Sequence, residues 1–137
     1  MKSIFAKSFL VPLASIGLAT TTAVPLEAKL DEGSGTITVH RDGLAKSLVT
    51  QHAAADHRPY LHPIVAPDGN GTLTEYSPGH HKHQTGLYWG FTRVNGRDYF
   101  HHPADNYWKR KGVNVLEAKG DSVRWETVYD LLDADGN

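Results

Sequence analysis

The sequence predicts an all-β protein, an antiparallel β-sandwich. Three observations carry this. Short runs rich in β-branched and aromatic residues alternate with polar ones, as in Thr36-Ile37-Thr38-Val39-His40. Turn chemistry recurs between such runs, at Pro67-Asp68-Gly69-Asn70-Gly71, Asn95-Gly96 and Lys119-Gly120-Asp121. No segment sustains the hydrophobic period of a helix.

At 137 residues the chain has room for one domain. Its first seven residues are short and basic, Ser8 to Leu18 is mostly apolar, and small residues follow to Ala23. That order predicts a secretory signal peptide over residues 1–23, cleaved at Thr21-Thr22-Ala23 or at Leu26-Glu27-Ala28. The apolar run is short and is broken by Pro12 and Gly17, which argues against a membrane span. An uncleaved N-terminal anchor is the alternative. The expected location is therefore exported, in a periplasm or outside the cell.

Residues 24–34 read as a polar linker, and residues 35–137 as the β-sandwich domain. Thr36 to His40 is the first strand. Leu44 to Thr50 is a weaker one, and residues 51–58 form a loop or a single turn. Pro59 to Ala66 is extended, its two prolines suiting an edge. Thr85 to Val94 is the strongest strand, with Asn95-Gly96 turning it into a return strand from Arg97 to His101. Gly112 to Ala118 and Ser122 to Leu131 complete the set. Asp133 to Asn137 is turn chemistry with no strand after it, which predicts a chain truncated at its C-terminus within the fold.

Loss of residues 1–23 would leave 12 basic residues against 15 acidic, a net charge of −3. No basic patch remains to suggest nucleic acid. There is no cysteine, so disulfides, thiolate metal sites and cysteine nucleophiles are excluded. No phosphate-binding glycine loop, nucleophile elbow or dinucleotide fingerprint occurs, and no cofactor is specified.

The chemistry concentrates at His80-His81-Lys82-His83, which runs into the aromatic stretch Leu87-Tyr88-Trp89. Extending the strand back to His81 places His81 and His83 on one face. Two imidazoles so spaced suit acid-base work on a polar ligand. They equally suit two positions on a metal ion, with Glu75, His62, His101 or His102 as a third donor. A solvated His-rich loop is the plain alternative. His62 shares a strand face with Tyr60, and Arg58 is placed to hold a hydroxylated or anionic ligand. Trp89 and Phe91 alternate against Tyr88 and Gly90, and an aromatic wall suits a sugar ring. The candidate catalytic residues are therefore His81, His83 and His62. The candidate substrate contacts are Arg58, Tyr60 and Trp89.

Taken in order, Arg58-Pro59-Tyr60-Leu61-His62-Pro63, Pro67-Asp68-Gly69, His81 to Gly90 and Val94 to Phe100 resemble the PmoA-like domain family. The resemblance runs from about residue 36 to the end, and it keeps His81, His83 and Gly86. It implies an exported protein with a sandwich of the galactose-mutarotase type and a carbohydrate role. The family label "methane oxygenase" does not carry over, because this chain offers no membrane span after its N-terminal segment. The leading expectation is a domain that binds or acts on a carbohydrate through a His-rich aromatic cleft. The rivals are a metal-dependent enzyme using His81 and His83, and a non-catalytic fragment whose open sheet edge pairs with another chain.

Overall fold

The computed structural model describes residues 23–104 and 106–137. The predicted signal segment lies, up to residue 22, outside them. Within the described residues the protein is all-β, and every strand pairing is antiparallel. A six-stranded sheet runs in the order β5-β4-β3-β2-β1-β7, and a two-stranded ribbon of β6 and β8 forms a second, smaller sheet. The strands are β1 (Leu26–Asp31), β2 (Thr36–Arg41), β3 (Val49–His52), β4 (Tyr60–Ile64), β5 (Leu87–Tyr88), β6 (Trp108–Glu117), β7 (Lys119–Gly120) and β8 (Arg124–Leu131). No helix among the described residues is long and apolar enough to cross a membrane.

Period-two alternation explains the first four strands. Leu26, Ala28 and Leu30 of β1 share a face with Ile37 and Val39 of β2, because Ala28 pairs with Val39 and Leu30 with Ile37. Ala28, Ile37 and Val39 are buried, Ile37 completely, and form the centre of the aliphatic core. The ribbon lies over this face with Val113, Val115, Val123 and Trp125. It is tied to the sheet through β7, which pairs with β1 between the two ribbon strands. The Ala28 amide also donates to the Ala118 carbonyl at 2.8 Å.

The other end of the ribbon is anchored on the loop after β3. The Tyr129 hydroxyl donates to the Ala54 carbonyl at 2.6 Å, and the Arg110 amide to Ala55 at 2.8 Å. An aromatic cluster fills this end. Buried Trp108 meets Tyr99 at 6.0 Å, Tyr129 at 6.2 Å and Phe91 at 6.5 Å between ring centres. Tyr99 is buried as well, and its hydroxyl donates to the Leu132 carbonyl at 2.7 Å.

Two expectations about the elements change. The segment read as a linker contains β1, because Leu26, Ala28 and Leu30 point inward while Glu27, Lys29 and Asp31 give the run its polar composition. The segment read as the strongest strand pairs only at Leu87 and Tyr88. It is interrupted by Gly86 at φ +83° and Arg93 at φ +59°, conformations that a strand does not accommodate. The Asn95-Gly96 turn itself forms, with both residues at positive φ and the Arg97 amide donating to the Val94 carbonyl at 2.9 Å. The long strands expected on either side of it do not.

Candidate functional site

The ribbon covers only part of the large sheet. Its contacts with the aliphatic core come from Val113, Val115 and Trp125, and the next residue of that face on β8 is Thr127. Beyond it the core face of β3, β4 and β5 stays open. Gln51, Leu61 and Leu87 lie in register across these strands, and Trp89 follows Leu87 on the same face by alternation. Together with Thr127 they line a cleft of about 300 Å³. Its walls are mainly apolar, and no charged side chain lines it. Trp89 is 79 % exposed, the most accessible large apolar side chain among the described residues.

Gln51 supplies the cleft with a fixed polar group. Its amide nitrogen donates to the carbonyls of His52 and Tyr60, at 3.0 and 3.1 Å. Both N–H groups are therefore committed to the sheet, which leaves Oε1 as an acceptor for solvent or ligand.

The reverse face of the same strands is polar and aromatic. His52 stacks on Tyr60 with ring centres 4.6 Å apart, and Tyr76 approaches Tyr60 at 5.7 Å and His62 at 5.6 Å. The His52 Nε2–H donates to the His62 carbonyl at 2.8 Å, which places the lone pair of the neutral ring on Nδ1. His62 Nδ1 and the Thr74 hydroxyl share a hydrogen bond of 2.9 Å. Burial, with the Tyr76 hydroxyl beside it, pushes the Tyr60 hydroxyl up to about 12. Tyr60 thus borders both the cleft and this groove of about 330 Å³.

The third location is a loop cluster organised by Arg58. Its side chain is buried, at 1 % exposure, with its guanidinium 3.4 Å from the centre of the Tyr88 ring. Nη1 donates to the Phe100 carbonyl, and Nη2 to the His83 carbonyl at 2.7 Å and to the Thr85 hydroxyl at 3.3 Å. Nε has no partner among the described residues. Arg58 therefore joins the loop at His83 to the loop at Phe100: expected as a substrate contact, it is buried, with both Nη atoms committed to two main-chain carbonyls and the Thr85 hydroxyl.

Around this clamp the imidazoles gather. His83 meets His101 at 4.8 Å, Phe100 at 5.3 Å and His81 at 5.8 Å between ring centres. The His101 Nδ1–H donates to Asp98 Oδ2 at 2.7 Å, while Asp98 Oδ1 accepts from the amides of Phe100 and His101. These hydrogen bonds, led by that from His101, hold the Asp98 carboxyl below its ordinary range. His83 is lowered as well, first by desolvation and then by the neighbouring His101, His81 and Arg58.

The predicted site residues therefore fall into three places. Tyr60 and Trp89 border the cleft, His62 lies on the reverse face, and His81 and His83 stand in the loop cluster. The strand that was to align His81 with His83 is a turn. The His81 amide donates to Pro78 at 2.8 Å, and the Gln84 amide to His81 at 3.0 Å. His83 then finds its partner across the chain in His101, a pairing that strand spacing does not supply. Gln51, Leu61, Leu87 and Thr127 were missed because their meeting depends on where the ribbon ends. Asp98, three residues before His101, joins the loop cluster through its bond to that ring and was not among the predicted site residues.

A titration tests the cluster directly. The His83 ring is expected to take up its proton below the ordinary histidine range, followed by its imidazole resonances in NMR. Replacing His101 with Ala removes a like charge, so the His83 pKa should rise. Between the depressed folded value and the ordinary unfolded one, the unfolded chain binds more protons, so this group makes stability rise with pH across that window. A His83 pKa that does not move in the variant would count against the cluster.

A family model, described as a family of unknown function (DUF6807), matches residues 36–137. This match corrects the PmoA-like resemblance expected from the sequence blocks, since the family found is a different one and nothing in the comparisons indicates a PmoA-like domain. No curated protein and no solved structure matches the chain.

Proposed function

We propose that this chain, which belongs to the DUF6807 family of unknown function, binds a neutral carbohydrate in the cleft between β4–β5 and the ribbon, with Trp89 as the stacking platform. The observation that carries this reading is the 79 % exposure of Trp89 at the wall of an uncharged cleft. An indole left in water beside an apolar floor of Leu61 and Leu87 offers its face to the C–H surface of a sugar ring. Gln51 Oε1 and the Thr127 hydroxyl, at the cleft wall, are of the right kind to meet sugar hydroxyls. The absence of a lining charge favours a neutral ligand over an anionic one. Export belongs to the same proposal and rests on the basic, apolar and small-residue order of the N-terminus.

Tryptophan emission tests it. Trp108 is buried and Trp125 packs against the aliphatic core, so Trp89 reports on the cleft. Titration with a panel of neutral monosaccharides and short oligosaccharides should give a saturable change for at least one sugar. Trp89→Ala, followed by calorimetry because the reporter is gone, should weaken that sugar at least about tenfold while leaving the urea midpoint unchanged. If the whole panel leaves the emission unaltered, the carbohydrate reading fails.

A further inference from the structure

We propose that His83 and His101 form an open binding site for a divalent transition-metal ion, with Asp98 behind His101 as its orienting partner. The two histidines lie far apart in sequence, and the structure spends a buried arginine on bringing them together. Arg58 bonds the carbonyl of His83 and the carbonyl of Phe100, the residue before His101. Desolvating a guanidinium is costly, and among the described residues no carboxylate pairs with this one. What the clamp fixes is the approach of these two loops.

The spacing suits a shared ion. With metal–nitrogen bonds of about 2.0–2.1 Å, two imidazoles on one ion hold their ring centres roughly 4.5–5.5 Å apart. His83 and His101 stand at 4.8 Å and His81 at 5.8 Å from His83. The rings are inclined at 63° and 72°, and the side chains of His81 and His101 are exposed, with the His101 ring held by its hydrogen bond to Asp98.

Behind the pair stands the usual support of a metal-bound imidazole. The His101 Nδ1–H is committed to Asp98, so Nε2 is the nitrogen left to coordinate. Asp98 in turn is held by two main-chain amides.

Two other histidine donors proposed from sequence are engaged elsewhere. His62 shares its Nδ1 with Thr74 on the reverse face, and His102 stacks on Tyr107 at 4.6 Å. No group of three histidine or carboxylate donors among the described residues is placed to hold a metal ion as the side chains stand. The site therefore offers two protein nitrogens and leaves its remaining positions to water or a ligand, the arrangement of an open rather than a structural site. Imidazole donors select zinc, copper or nickel over magnesium or calcium.

The experiment uses tag-free full chain and Zn²⁺ alone, followed by calorimetry and by the imidazole resonances. One equivalent should bind, with shifts confined to His83, His101 and their neighbours. His83→Ala and His101→Ala should each weaken binding at least about tenfold. Asp98→Asn should weaken it about 10-fold to 100-fold, as removal of an orienting carboxylate does. Thermal melts confirm that the exposed His101→Ala variant is folded. Failure to bind Zn²⁺, or affinity unchanged in His101→Ala, overturns the proposal. The second outcome would assign binding to the local His81–His83 pair. The Trp89 cleft is a different place, so the sugar titration stands or falls independently.

Discussion

Replacing Arg58 with Ala is expected to destabilise the protein by about 3–5 kcal/mol, because three neutral acceptors in its surroundings lose their donor at once. The loss has identifiable parts. The carbonyls of His83 and Phe100 and the Thr85 hydroxyl lose their donor together, and Tyr88 loses the guanidinium over its ring. Each buried acceptor left without a donor costs about 1–3 kcal/mol. Compensation is incomplete, since Nε is already without a partner among the described residues. For a chain of this size the melting temperature should fall by at least about 10 °C. Arg58→Lys should lie between the two, because an ammonium cannot span both carbonyls with a planar fork. Urea melts of the three proteins decide the matter. An Ala variant within about 1 kcal/mol of the parent would mean that the two loops are held by something else.

Gly86→Ala is expected to disconnect β5 and with it the Trp89 cleft. Gly86 has φ +83°, where an L side chain costs roughly 1–2 kcal/mol. The space is also closed. A Cβ there would lie well inside contact distance of the Leu61 carbonyl oxygen and 2.9 Å from His62 Cβ. The first of these is main chain and can move only by breaking the pairing of Leu61 with Leu87. Leu61 and Leu87 form the cleft floor, so the variant should lose ligand binding together with at least about 2 kcal/mol of stability. Amide hydrogen exchange at Leu87 and Tyr88 provides the local reading. Unchanged protection there would contradict the argument. Trp89→Ala contrasts with it, losing the platform without the strand.

The two cases show where sequence patterning is sufficient. Strands β2, β4, β6 and β8 are legible because alternation and turn residues are local properties. Strand β1 was hidden by Glu27, Lys29 and Asp31, outward residues whose charge lends a core strand the composition of a linker. The stretch after Gly86 misled in the opposite sense. Its aromatic richness reads as strand, yet Phe91 turns to Trp108 while Trp89 stays at the cleft.

Tyr60 and Trp89, named from sequence, do border the cleft, since aromatic side chains next to polar loops announce themselves. Gln51 and Thr127 were not named, since nothing local reveals where the covering ribbon stops. Arg58 shows the same limit most clearly. A lone arginine before a proline looks like a surface group until the carbonyls of residues 83 and 100 are brought to it.

The stitch between β1 and β7 sets an order of assembly. Strands β1 to β4 pair with sequence neighbours and close short loops, whereas Leu26 waits for Gly120. Long-range closure is the slow step in β-rich chains. The meander can form while its β1 edge and aliphatic face are still bare, and only the arrival of the ribbon covers both. Thr127 arrives with the ribbon, so the wall of the cleft is completed only after the meander has formed.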